Sequence, residues 1–149
     1  MQKIIPNLWF NEVAKDAVDF YLTVFPKSSI LATSYYPQEG LLDFQKSFAG
    51  KELTIDFDLN GNRFTALNAG AEFKFNEAVS FVVMCADQKE IDYYWEKLSA
   101  VPEAEQCGWC KDKFGVSWQI VPANMDKLMQ KPQSFEHMLN MKKLVIADF

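Results

Sequence analysis

The chain nearly repeats itself, and that repetition restricts its fold more than any other feature. Asp19-Phe20-Tyr21 closes one amphipathic segment, and Asp92-Tyr93-Tyr94 stands in the matching place of another, 73 residues on. At the same offset Leu8 falls on Phe81, Phe10 on Val83 and Val18 on Ile91. In both copies an apolar, strand-like stretch precedes a helix-like one in the same phase. A second echo, at an offset of 54, joins Gly61-Asn62-Arg63-Phe64-Thr65-Ala66-Leu67 to Gly115-Val116-Ser117-Trp118-Gln119-Ile120-Val121. Each copy there is a glycine turn followed by an alternating strand. Unequal offsets place the difference between the halves in their loops. Two copies of one pattern within 149 residues predict a single domain with a site between its halves.

Periodicity supplies the elements. Residues 3–10 read as a strand, and a helix starts at Asn11 or Glu12 with Val13, Ala17, Phe20, Tyr21 and Val24 at helical spacing. Pro26 ends it, because its ring removes a donor and blocks continuation. Ile30–Tyr36 reads as a strand, followed by a long loop from Pro37 to Lys51 that carries Leu41, Leu42, Phe44 and Phe48. Apolar side chains on such a loop mark a lid or a contact with another subunit. Leu53–Leu59 alternates strictly, Asn60-Gly61-Asn62 signals a hairpin, and Phe64–Asn68 is the return strand. The second half reads as a strand at Val79–Cys85, a helix at Gln88–Ser99, and a strand near Gln106–Cys110. A turn at Lys111–Gly115 and a strand at Val116–Val121 follow. After Pro122 come two short helical segments, Asn124–Gln130 and Gln133–Lys142, and an extended tail, Leu144–Ala147. The half-repeat is β-α-β-β-β, with one strand of the second half hard to place. Module one covers about 3–75, module two about 77–122, and an extension 123–149.

Composition narrows the function. The net charge is −5, Arg63 is the only arginine, and no basic cluster exists, which disfavours nucleic acid and anionic membranes as partners. No apolar run approaches the roughly 20 residues that span a bilayer. The N-terminal Met1-Gln2-Lys3-Ile4-Ile5-Pro6 lacks the apolar core of a signal peptide, and three scattered cysteines fit a reducing cytoplasm. Thirteen phenylalanines, five tyrosines and four tryptophans make either a ring-rich core or an aromatic-lined pocket.

The duplication, with Leu8-Trp9-Phe10, Ala17-x-x-Phe20-Tyr21, Ala66-Leu67-Asn68-Ala69-Gly70 and Phe73-Lys74-Phe75, resembles the vicinal oxygen chelate superfamily. Glu77-Ala78-Val79-Ser80-Phe81, Tyr94-Trp95-Glu96-Lys97-Leu98 and Cys107-Gly108-Trp109 resemble its PhnB-like branch. The run from Lys111 to Pro122 is the longest such stretch. The resemblance implies an α+β fold in which two βαβββ modules curl into a cup-shaped mixed sheet around a cavity. It also implies a homodimer. Relatives include glyoxalase I, extradiol dioxygenases, fosfomycin-inactivating transferases and metal-free bleomycin-binding proteins. In metal-using members the ligands are His and Glu on the first and last strands of each module. The corresponding residues here are Ile5 or Asn7, Thr65 to Asn68, Ala78 or Ser80, and Gln119, so the usual metal centre is expected to be absent. The sole histidine, His137, falls in the C-terminal extension.

Asp56 and Asp58 lie two apart on a strand and so share one face. They sit either on a solvated face or inside the cup, where either could hold a divalent cation or act as a base. Trp9 takes an odd position beside Leu8 and Phe10, toward core or cavity; Asn68 shapes a turn or orients a polar ligand. Cys107 and Cys110 lead into a turn and strand, whereas thioredoxin-like chemistry needs a helix N-terminus. Relatives of the branch often bear a demethylubiquinone methyltransferase label. Yet the glycines at 40, 50, 61, 70, 108 and 115 form no G-x-G for S-adenosylmethionine. The residues expected to bind ligand are Asn7, Trp9, Asp56, Asp58, Thr65, Asn68, Ser80 and Gln119, with no cofactor. The expected function is small-molecule binding, and the alternative is a divergent lyase, dioxygenase or transferase using Asp56 or Asp58 with a divalent metal.

Overall fold

Alternation over Glu52–Leu59 and Asn62–Ala69 builds the centre of the first unit: Ile55, Phe57, Leu59, Phe64 and Ala66 are buried, while the residues between them are not. The computed structural model describes residues 2–149 and divides into two compact units, one ending at Lys74 and one beginning at Phe75. Unit one contains β1 (Asn7–Asn11), α1 (Ala14–Val24), β2 (Ser28–Tyr35), a 3-10 segment (Asp43–Phe48), β3 (Glu52–Leu59) and β4 (Asn62–Ala69). Its sheet is open, with order β1-β4-β3-β2; β1 runs parallel to β4 and the other pairs are antiparallel. Ala14, Ala17, Val18, Tyr21 and Val24 form the buried stripe of α1 against one sheet face. There Tyr21 stacks on Phe57, and Phe57 on Phe64.

Several boundaries differ from the sequence reading for identifiable reasons. β1 is shorter at its start, since Pro6 has no amide hydrogen and Ile4 is exposed. α1 begins at Ala14 because Glu12 adopts φ 61°, outside helical geometry. The N-cap Val13 supplies no side-chain acceptor; instead Asn68 Oδ1 accepts from the Ala14 amide at 3.3 Å. The loop between β2 and β3 is not structureless: its 3-10 segment buries Phe48, which stacks on Tyr36 at 5.1 Å between centroids.

Unit two contains β5 (Ser80–Cys85), α2 (Gln88–Leu98), a 3-10 turn (Pro102–Ala104), β6 (Trp109–Lys111) and β7 (Ser117–Pro122). The chain then adds α3 (Met125–Leu128), α4 (Ser134–Leu139) and a final 3-10 turn (Ile146–Asp148). Its sheet has order β5-β7-β6, again open, with the first strand parallel to the last. Asp87 caps α2 by accepting from the Glu90 amide at 2.9 Å, and Glu90 returns to the Ala86 amide at 2.7 Å. The strand expected around 106–110 is reduced to Trp109–Lys111 and one bridge between Gln106 and Trp109. No further strand lies between α2 and β6: residues 99–108 form the Pro102–Ala104 turn and the bridge at Gln106 instead. The expected extended tail is instead anchored by buried Leu144 and ends in a turn, packing with Leu128 and Phe149 among Met125, Met129, Met138 and Met141.

The units preserve the repeat with one shift. In unit one Thr65 faces Asn7; in unit two its counterpart Gln119 faces Val82, the counterpart of Trp9. The last strand has thus slipped by two residues, and an even slip leaves every side chain on its original face. Val18 and Ile91 are both fully buried, as their shared phase requires.

Asp112 is a buried carboxylate at the turn before β7. Its oxygens accept from the amides of Phe114 and Val116 and from the indole of Trp118, at 2.8, 3.1 and 2.9 Å. Removing an acceptor that holds buried donors costs more than removing one at an exposed turn. Urea unfolding should therefore show Asp112→Ala destabilised by about 3 kcal/mol and Asn68→Ala by about 2 kcal/mol. Asp58→Ala, which loses only a bond to the Gly61 amide in an exposed hairpin, should cost less than about 1 kcal/mol. Equal effects for all three would contradict this ranking.

Candidate functional site

With α1 covering one face of the first sheet, the opposite face carries the alternate residues. Asn7 on β1 lies beside Thr65 on β4, and Thr65 beside Asp56 on β3, so three of the expected ligand-binding residues form one cross-strand row. Asp56 is engaged on both oxygens: Arg63 Nη2 donates to Oδ2 and Thr65 Oγ1 to Oδ1, each at 2.7 Å. Asp58 shares that face and accepts from the Gly61 amide at 2.8 Å. Ser80 and Gln119 lie in unit two, where Gln119 Nε2 donates to Ser80 Oγ at 2.9 Å. Asn68 is buried; besides capping α1 it donates from Nδ2 to the Glu52 carbonyl at 3.1 Å.

Trp9 leads to the most developed site. It lines a cleft of about 190 Å³ in unit one together with Tyr36, Phe44, Gln45, Phe48, Leu53, Leu67, Ala69, Gly70 and Glu72. Trp9 Nε1 donates to the Gly70 carbonyl at 2.8 Å, and the Tyr36 hydroxyl donates to the Asn68 carbonyl at 2.5 Å. Both polar ring atoms are thus committed to backbone at the end of β4, and the rings contribute apolar surface. Phe73 packs edge-on against Trp9, with centroids 4.8 Å apart. Burial, and then the charge of Glu72, raises the Tyr36 phenol above its ordinary value, so it stays a neutral donor at physiological pH. Phe44 is 68% exposed at the rim, on the 3-10 segment. The apolar run at 41–48 and the odd position of Trp9 signalled this cleft in the sequence. Tyr36 and Glu72 carried no such signal, because their partners are distant in the chain.

The cysteines follow a different logic. Cys110 is buried on β6 and Cys85 on β5, and burial pushes each thiol up to about 12. Cys107, with φ 38°, lies in the turn before β6 and is half-buried. His137 lies on the exposed side of α4.

Two units, each an open sheet whose first strand runs parallel to its last with one helix following that first strand, place the chain in the vicinal oxygen chelate class. Within it, the chain belongs to the family described as 3-demethylubiquinone-9 3-methyltransferase, which matches residues 2–121. A putative 3-demethylubiquinone-9 3-methyltransferase, PhnB protein, from Bacillus cereus is 32% identical, covering 80% of this chain and 99% of its own, with a TM-score of 0.64. The fosfomycin resistance protein FosX from Listeria monocytogenes shares the fold at 12% identity and a TM-score of 0.56, over 87% of this chain and 98% of its own. A second FosX structure, in complex with Mn(II) and a dihydroxypropylphosphonic acid, has a TM-score of 0.54 at 15% identity, over 88% of this chain and 100% of its own. No curated protein matches the chain.

A manganese-type centre requires imidazole or carboxylate donors. Asn7, Thr65, Ser80 and Gln119 offer only amides and hydroxyls, and the last two bond to each other. Among the described residues no three His, Cys, Asp or Glu side chains are grouped to hold a metal. These residues do not fit such a centre. Among the described residues, no helix is long and apolar enough to cross a membrane.

The thiols give a pH test. Cys85 and Cys110 stay protonated in the folded protein to about 12, whereas unfolded thiols ionise near 9. Over that window the unfolded state binds fewer protons, so these groups lower stability as pH rises. The double variant Cys85→Ala, Cys110→Ala should lose less stability than the wild type between pH 9 and 11, roughly the first part of that window. With a thiol reagent at pH 8, about the pH of such assays, Cys107 should react first. Fast reaction of Cys110 in the native state would contradict the assignment.

Proposed function

We propose that the chain is a small-molecule-binding protein of this family that works without the divalent metal of its metal-using relatives. The aromatic cleft of unit one carries this reading: four rings, Trp9, Tyr36, Phe44 and Phe48, surround a space large enough for a small ligand, with Gln45 and Glu72 as its polar groups. Trp9 is the sequence-expected binding residue that the proposal retains within the cleft. Asn68 contributes through its carbonyl, which fixes Tyr36. Asn7, Asp56, Asp58 and Thr65 then serve the polar open face of the same sheet, and Ser80 with Gln119 that of the second.

Two observations favour binding over the metal-dependent alternative. Asp56 is already paired with the Arg63 guanidinium and accepts from Thr65, so its charge is compensated and a metal cation would have to compete with a resident one. Methyl transfer, named in the family description, gains no support from the glycines, whose spacing lacks the turn that commonly holds a nucleotide-like donor. In this reading the protein is a cytoplasmic homodimer, and the exposed Leu31, Tyr35, Val82 and Met84 supply apolar surface for association.

A thermal-shift screen of small aromatic and amine compounds, run with and without EDTA, tests the proposal. A ligand at 100 times its Kd should stabilise by about 2.7 kcal/mol, and EDTA should leave that shift intact. Phe44→Ala should weaken binding about ten-fold through the lost ring contact. Its Tm should barely move, because Phe44 is exposed. Stoichiometric metal in protein purified without chelators, or a shift abolished by EDTA, would contradict the proposal. Light scattering showing a monomer at tens of micromolar would contradict the dimer.

A further inference from the structure

Glu72 is the one charged side chain lining the aromatic cleft, and it makes no ion pair among the described residues. Its carboxylate folds back over Gly70: a Cβ at position 70 would stand 2.7 Å from Oε2 and 2.9 Å from Oε1. The missing side chain is what lets the carboxylate lie there. Its charge is felt at Tyr36, across the cleft lining. Trp9 and Tyr36 have already given their donors to backbone carbonyls, so they present π surface and no N–H or O–H for a ligand.

Rings that offer only their negative faces, next to an uncompensated carboxylate, favour positive charge. An anion would be repelled by Glu72 and would find no donor on either tethered ring. A neutral ligand would gain apolar contact, yet would have to desolvate the carboxylate without replacing its water. An organic cation gains from both. A diffuse, weakly hydrated charge, such as a methylated ammonium, loses least on leaving water, and its size suits about 190 Å³. We infer that this cleft binds an organic cation through a quaternary or methylated ammonium group, with Trp9, Tyr36, Phe44 and Phe48 as the cage and Glu72 as counter-ion. The inference rests on the small-molecule reading above and names its ligand class.

Calorimetric titration of the full chain with choline, and with the uncharged isostere in which carbon replaces the quaternary nitrogen, tests it. Choline should bind at least about ten-fold tighter than the isostere at low ionic strength. Glu72→Gln should remove most of that preference; the side chain is exposed, so folding is unaffected. Gly70→Ala should do the same, because the clash falls on the far end of a flexible side chain, which moves away at little cost to stability. A preference that survives both variants would overturn the role of Glu72. Should the isostere match choline, or only uncharged compounds of the thermal-shift panel bind, the cation inference falls and small-molecule binding stands. If neither choline nor any panel compound binds, both fall.

Discussion

The backbone at the end of β4 holds unit one together. The Asn68 side chain caps α1 and ties β3, while its carbonyl takes the Tyr36 hydroxyl. The next carbonyl, of Ala69, accepts from the Glu12 amide at 2.9 Å where the chain leaves β1 for the helix. The carbonyl of Gly70 takes the Trp9 indole, and its bare α-carbon admits the Glu72 carboxylate. Three consecutive residues therefore set where the helix starts, how two rings are turned and where the cleft's charge lies. Buried backbone carbonyls need partners, and here the partners are the residues that build the site.

A second constraint is the period of two along each strand. One helix covers one face of each sheet, so alternate residues are left for the other face. On that face in unit one Asp56 binds both Arg63 and Thr65, with Asn7 in register beside Thr65; in unit two Ser80 and Gln119 bond to each other. An ion pair and hydrogen bonds that satisfy one another lower the cost of an open polar face without a metal. The site that remains lies at the sheet margin, under the 3-10 segment.

Architecture was largely legible in the sequence because it rests on local periodicity and on a repeat. The alternation of Leu53–Leu59, the hairpin at Asn60-Gly61-Asn62 and the stripe of α1 are properties of neighbouring residues. Boundaries failed where tertiary partners decide them. Ala14 starts α1 because Asn68, distant in the chain, supplies the cap. Phe48 orders an apparent loop because it finds Tyr36 to stack on. The cleft was half legible for the same reason: Trp9 and Phe44 stood out by position, whereas Glu72 gains meaning only once Gly70 and Tyr36 are beside it.

The Trp9 indole N–H offers the most direct view of the central claim, that the aromatic cleft takes a small ligand without a metal. Four tryptophans give four indole signals in a proton–nitrogen correlation spectrum, assignable through Trp9→Phe. Titration with choline in the presence of EDTA should move the Trp9 signal progressively to saturation. The signals of Trp95, Trp109 and Trp118, in unit two, should stay in place. A Trp9 signal that stays fixed while those of unit two move, or that moves only when a divalent metal is added, would contradict the account.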